Sequence, residues 1–175
     1  MKKSLLSKNN VLRVLRGQAI VEFAIVLPIL LVILVGILEV GRMIFIYSAV
    51  TGASRDAVRY ASAVGIDDYG FSKYNHCHGI REVAISSAFL MRPSDLTVTI
   101  KYDHGPGAEF SPPLYCDATS GEDVDVVNAG VTTGDRVLVE VTAQYRPMVK
   151  LVPITERPFT ASSYRTILGI IKLTP

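Results

Sequence analysis

The chain has 175 residues, a formal net charge of +2 and 49% hydrophobic residues, enough for one modest globular domain plus a membrane segment. Residues 1–17 hold five of the 18 Lys and Arg and no acid, so the remainder is slightly acidic. That confinement excludes a basic surface for nucleic acid.

The basic leader, residues 1–17, contains Lys2, Lys3, Lys8, Arg13 and Arg16. Its charge is explained by orientation, because Lys and Arg beside a membrane span stay on the cytoplasmic side. It lacks an apolar face long enough for a stable helix of its own, although Val11, Leu12, Val14 and Leu15 could form a turn or two next to the membrane. A mitochondrial-type transit peptide would share its composition, but the long apolar run directly after it favours a short bacterial-type leader.

Residues 18–41 form the predicted transmembrane segment. Sixteen consecutive residues, 23–38, carry no charge, and their apolar flanks bring the run close to the ~20 residues that cross a bilayer. Glu22, Pro28, Gly36 and Glu39 interrupt it. No A-x-A-like cleavage site comes after it, so the segment should stay in the protein, with its N-terminus in the cytoplasm.

Residues 42–64 are expected to prolong this helix as an amphipathic rod. Ile46, Val50, Ala53, Ala57, Tyr60 and Val64 fall at helical spacing on one side, with Ser48, Arg55 and Ser62 opposite. A helix over 18–64 would be roughly 70 Å long, and Gly65 is its natural stop.

Residues 65–175 read as an extracytoplasmic α+β domain. A loop over 66–79 precedes a short helix over 80–91, which ends before Pro93. Alternation predicts strands over 96–102 and 137–145, and a third over 159–167. The expectation is an α+β fold in which a small antiparallel sheet of about three strands packs on the helical seam. The stretch 103–133, rich in Gly, Pro and acids, reads as a functional loop, a partly disordered one or an unrecognised strand.

The first motif is GQAIVEF at 17–23. Gly17 leaves its backbone open to a protease because no Cβ obstructs it. Glu22 is the fifth residue after the Gly17–Gln18 bond. A carboxylate at the edge of hydrocarbon is costly, with about 2.5–3.5 kcal/mol reached at the centre on the gentler insertion scale, so such a group usually has a partner. Cutting after Gly17 would create one, an α-ammonium on Gln18 of the same or a neighbouring subunit.

Pro28 removes a hydrogen bond to the Ala24 carbonyl. It is either a weak turn that eases extraction into a filament or an ordinary proline of the kind membrane helices tolerate. Glu39 with Arg42, and Asp56 with Arg59, are i, i+3 pairs; the first marks where the helix leaves the membrane.

Cys77 and Cys116 lie outside on this topology, where disulfides persist, and a bridge between them is the favoured reading. A metal site from His76, Cys77, His78, His104 and Cys116 lacks the usual ligand spacings. Asp117, Glu122, Asp123 and Asp125 are calcium candidates by chemistry, but their spacing is not that of an EF-hand, and solvated loop charge is the better reading. No G-x-S-x-G, phosphate-binding glycine loop or H-E-x-x-H occurs. Neither enzyme activity nor a cofactor is expected.

The run RGQAIVEFAIVLPILLVILVGILEVGRMIFIYSAVTGASRDAVRYA resembles the TadE-like family of the tight-adherence (Tad/Flp) pilus system. The resemblance covers about residues 17–61, a quarter of the chain, and the opening GQxxVEFAxxLP is its most specific part. It implies a non-enzymatic minor pilin (pseudopilin) needed for pilus assembly, in which Gly17 and Gln18 flank the bond cut by a prepilin peptidase and Glu22 has the assembly role. The partners it implies are that peptidase, other pilin and pseudopilin subunits, the inner-membrane assembly platform and membrane lipid. The alternative is an uncleaved single-pass membrane-anchored binding or adhesion protein.

Overall fold

The computed structural model describes residues 5–89, 91–116, 130–149 and 155–169. The calcium candidates Asp117, Glu122, Asp123 and Asp125 lie outside the described residues. The elements in chain order are helix α1 (Leu5–Ser62), helix α2 (Cys77–Ser87), a 3-10 turn (Pro93–Asp95), and strands β1 (Leu96–Asp103), β2 (Glu109–Tyr115), β3 (Arg136–Tyr145) and β4 (Arg157–Thr166). The class is α+β. Two compact units divide the chain, one of Met1–Arg42 with Pro147–Thr155, the other of Met43–Arg146 with Glu156–Pro175.

α1 begins at Leu5, so the helix takes in most of the leader, more than the turn or two its apolar residues suggest. Once a helix is nucleated, each further residue adds one hydrogen bond at little cost, so the leader needs no apolar face of its own to continue the helix.

In the second unit, the C-terminal part of α1 buries Ile46, Val50, Ala53, Ala57, Val58 and Ala61. The alanines allow a close approach of the helix to what lies beneath it. Two positions differ from the expected pattern, one opposite the seam and one within it. Ser62 is buried at 2% exposure, while Val64 is 45% exposed. The helix ends at Ser62, so Val64 falls outside its periodicity. Ser62 satisfies its hydroxyl on the Arg59 carbonyl, 3.3 Å away.

The sheet is antiparallel with strand order β2-β1-β3-β4. Four strands are present where three were expected. The additional one, β2, contains Pro112 and Pro113, which argue against a strand in sequence. An edge position accommodates them, because one side of an edge strand has no ladder to lose. Its register with β1 breaks between Tyr102 and Asp103.

One face of the sheet supplies the core. Ile100, Val137, Val139, Val141, Ala143 and Tyr145 have no exposure, as the alternation in β1 and β3 requires. Ser54 of α1 and Ser163 of β4 meet across this layer with their hydroxyl oxygens 2.9 Å apart. On the other face, Asp103 and Arg136, opposite each other in register, form a bidentate pair at 2.6 and 2.8 Å. The Arg136 guanidinium lies over the Tyr164 ring at 5.0 Å.

α2 begins three residues earlier than the sequence pattern indicates, at Cys77, and buries Cys77, Gly79, Ile80 and Ala84. Cys77 and Cys116 form a disulfide, with Cα atoms 5.8 Å apart. It joins the start of α2 to the end of β2. The preceding loop folds around Asp67, whose Oδ1 accepts the N–H of Tyr69 at 3.0 Å and of Phe71 at 2.9 Å. His76 closes on the other carboxylate oxygen. Burial alone would raise the Asp67 pKa, but these donors hold it below the ordinary carboxylate value.

Asp135 is held the same way. Burial works to raise its pKa, and the Thr132 N–H at 2.7 Å and the His104 ring at 2.7 Å outweigh it. Of the five residues of the metal alternative, His76 and His104 are thus held by carboxylates and the two cysteines by each other.

Candidate processing and assembly segment

The candidate segment lies in the first unit and is carried by α1. Gly17 is helical backbone. A peptide bond inside a helix is shielded from a protease until the turn opens, and Gly lowers the cost of opening by about 1 kcal/mol relative to Ala. Gln18 and Glu22 are one turn apart, and the Gln18 side-chain amide donates to Glu22 Oε1 at 3.1 Å. Both side chains are exposed. The carboxylate therefore points back toward the residue that cutting after Gly17 would make the new N-terminus.

From Ile20 onward the helix shows its apolar side chains outward. Ile20, Phe23, Ile25, Ile29, Ile33 and Leu38 are all about half exposed or more. Such a surface is stable in hydrocarbon and not in water. Gln18–Ser62 contains the one helix, among the described residues, that is long and apolar enough to cross a membrane. Pro28 lies within α1, exposed, and the helix is continuous across it.

Sequence reasoning missed the role of Glu39. It is 4% exposed, in contrast to its neighbours on α1. Its Oε1 accepts the backbone N–H of Met148 at 2.8 Å and of Val149 at 3.2 Å. Its Oε2 lies 3.9 Å from Arg42 Nη1. The expected Glu39–Arg42 pair is present, but it is the weaker part of the arrangement. The shorter contacts fasten the segment after β3 to the helix at the end of its apolar run. Charge-assisted bonds from backbone donors make a carboxylate tolerable there.

Removing those bonds has a measurable consequence. Each hydrogen bond to a charged group contributes about 1.5–3 kcal/mol. Glu39→Ala should accelerate amide exchange at Met148 and Val149 by at least about tenfold. Glu39→Gln, which keeps a carbonyl acceptor, should fall between. Unchanged exchange in both variants would remove Glu39 from this role.

Among the described residues, Asp56 and Arg59 form no ion pair with each other, despite their spacing. The candidate residues Gly17, Gln18 and Glu22 and the disulfide belong to different units. No ligand-binding arrangement joins either group to a metal-type cluster among the described residues.

No curated protein and no solved structure matches the chain. A family model described as TadE-like protein matches residues 17–59, the stretch that holds Gly17, Gln18, Glu22, Pro28 and Glu39. Over that stretch the chain is similar to the TadE-like family.

Proposed function

We propose that this protein is a non-enzymatic minor pilin, a pseudopilin needed for assembly of a Tad/Flp-type pilus. It is made as a precursor in the bacterial cytoplasmic membrane, N-terminus inside and outer domain outside, and is cut after Gly17 by a prepilin peptidase. The observation that carries this reading is a coincidence of position. The family match starts at residue 17, and directly behind it Glu22 turns its carboxylate toward Gln18 on an otherwise apolar, outward-facing helix.

The mechanism rests on that arrangement. Before cutting, the leader's cations resist movement across the membrane. Cutting removes them and leaves an ammonium near the Glu22 carboxylate, so the helix carries a paired charge in place of a bare one. A neutralised, apolar helix can then leave lipid and pack among the helices of other pilin and pseudopilin subunits at the assembly platform. Pro28 lacks one backbone hydrogen bond, and this softens the turn that such packing would have to adjust.

Deleting this chain from piliated cells should remove surface pili, and the intact chain supplied in trans should restore them. Undiminished pili in the deletion strain would favour the uncut, membrane-anchored binding or adhesion protein.

A further inference from the structure

β4 ends the sheet, and no strand lies beyond it among the described residues. The hydrogen bonds at its end tell which atoms face that open edge. Ile167 donates its N–H to the Asp135 carbonyl at 2.8 Å and accepts the Gly134 N–H at 3.1 Å. Its backbone therefore faces the β3 side. Backbone direction alternates along an antiparallel strand, and the β3–β4 register is unbroken. Phe159, Ala161, Ser163 and Arg165 accordingly face β3, while Thr160, Ser162, Tyr164 and Thr166 direct N–H and C=O outward. Pro158 falls in the outward set, where its missing N–H costs the ladder nothing. Among the described residues no strand pairs with this edge from Thr160 onward.

Beside this edge lies a cationic groove. The contact of Ser163 with Ser54 fixes Ser163 on the face turned to α1, and Arg165, two residues on, shares that face. There Arg165 joins Arg55 and Arg59 of α1, one turn apart, around a groove of about 360 Å³ whose floor includes Val58. No carboxylate lines it among the described residues. Among the described residues none of these three arginines is in an ion pair, whereas Arg136 is paired with Asp103 and Arg146 with Asp95. Three unpaired guanidiniums around one small groove repel each other and favour an anionic occupant.

We propose that the β4 edge and its arginine groove are a docking site for an extended acidic segment of another protein subunit. The segment adds to the sheet as a fifth strand next to β4. Main-chain bonds at Thr160, Ser162, Tyr164 and Thr166 supply affinity, and alternate side chains of the added strand face the groove. Carboxylates there meet Arg55, Arg59 and Arg165 with the bidentate geometry guanidinium prefers. The same arginines reject neutral and basic strands, which protects a long open edge from indiscriminate pairing. This inference is independent of whether the leader is cut.

The test uses the full chain in nanodiscs of zwitterionic lipid, with a short synthetic peptide of alternating valine and aspartate. The peptide should slow amide exchange at Thr160, Ser162, Tyr164 and Thr166, and added salt should weaken it. The valine–lysine counterpart should have no effect, and neither should an acidic peptide interrupted by prolines. The R55A/R59A/R165A chain should lose at least about tenfold in affinity. The single exposed change Arg165→Gln should weaken binding severalfold, and it keeps the test decisive if the triple variant fails to fold. Absence of protection at these amides, an equal response to the lysine peptide, or protection that requires anionic lipid and not the peptide would overturn the proposal.

Discussion

A chain carrying Glu22→Ala should still lose residues 1–17 but should leave cells with few or no pili. The carboxylate lies four residues after Gln18 and accepts its side-chain amide at 3.1 Å, so cutting at Gly17 would bring an ammonium within its reach. Without Glu22 that ammonium has no anionic partner at the start of an apolar helix. Once the helix is packed away from water, an unpartnered charge costs up to about 2.5–3.5 kcal/mol, enough to change an assembly equilibrium by up to roughly a hundredfold. The scissile bond itself is untouched, since Gly17 keeps its open backbone. Pili counted by electron microscopy and the mass of the variant report the two effects separately. Normal piliation would eliminate the proposed ammonium–carboxylate pairing.

The second large effect concerns the outer domain. Breaking the Cys77–Cys116 bridge releases a loop spanning a sequence separation of 39, which on the chain-entropy model costs about 4 kcal/mol. Both cysteines are buried. The Tyr102 hydroxyl lies 3.3 Å from Cys116 Sγ and donates to the Tyr74 carbonyl at 2.6 Å, so the bridge also steadies the loop ahead of α2. Burial pushes the Tyr102 phenol well above its ordinary pKa, and it stays a donor. The Cys77→Ala/Cys116→Ala chain should melt on the order of 15 °C lower than the oxidised protein. Adding reductant to the unaltered chain should have the same effect. Coincident melts with and without reductant would show that the bridge contributes nothing to stability.

Much of the fold was legible because it depends on local periodicity. The apolar run at 23–38, the seam from Ile46 to Ala57 and the alternation in β1 and β3 each bury or expose residues as their spacing dictates. β2 was hidden by Pro112 and Pro113, since only the sheet order reveals that they sit on an edge. Glu22 stood out in the sequence because it is a lone charge at the start of an apolar run, and the family match covers the same stretch. Glu39 was read only through Arg42, three residues away. Its closer partners, Met148 and Val149, are over a hundred residues distant in sequence and donate through backbone atoms that carry no sequence signature. The arginine groove was hidden for a related reason, because Arg165 joins Arg55 and Arg59 only when β4 lies against α1.

Intact mass distinguishes a precursor that is cut after Gly17 from a chain that keeps its leader. The protein should be extracted from membranes of cells with and without an active prepilin peptidase. With the peptidase, the account predicts loss of Met1 through Gly17, leaving Gln18 as the first residue; without it, the full chain. A full-length chain under both conditions would contradict the account.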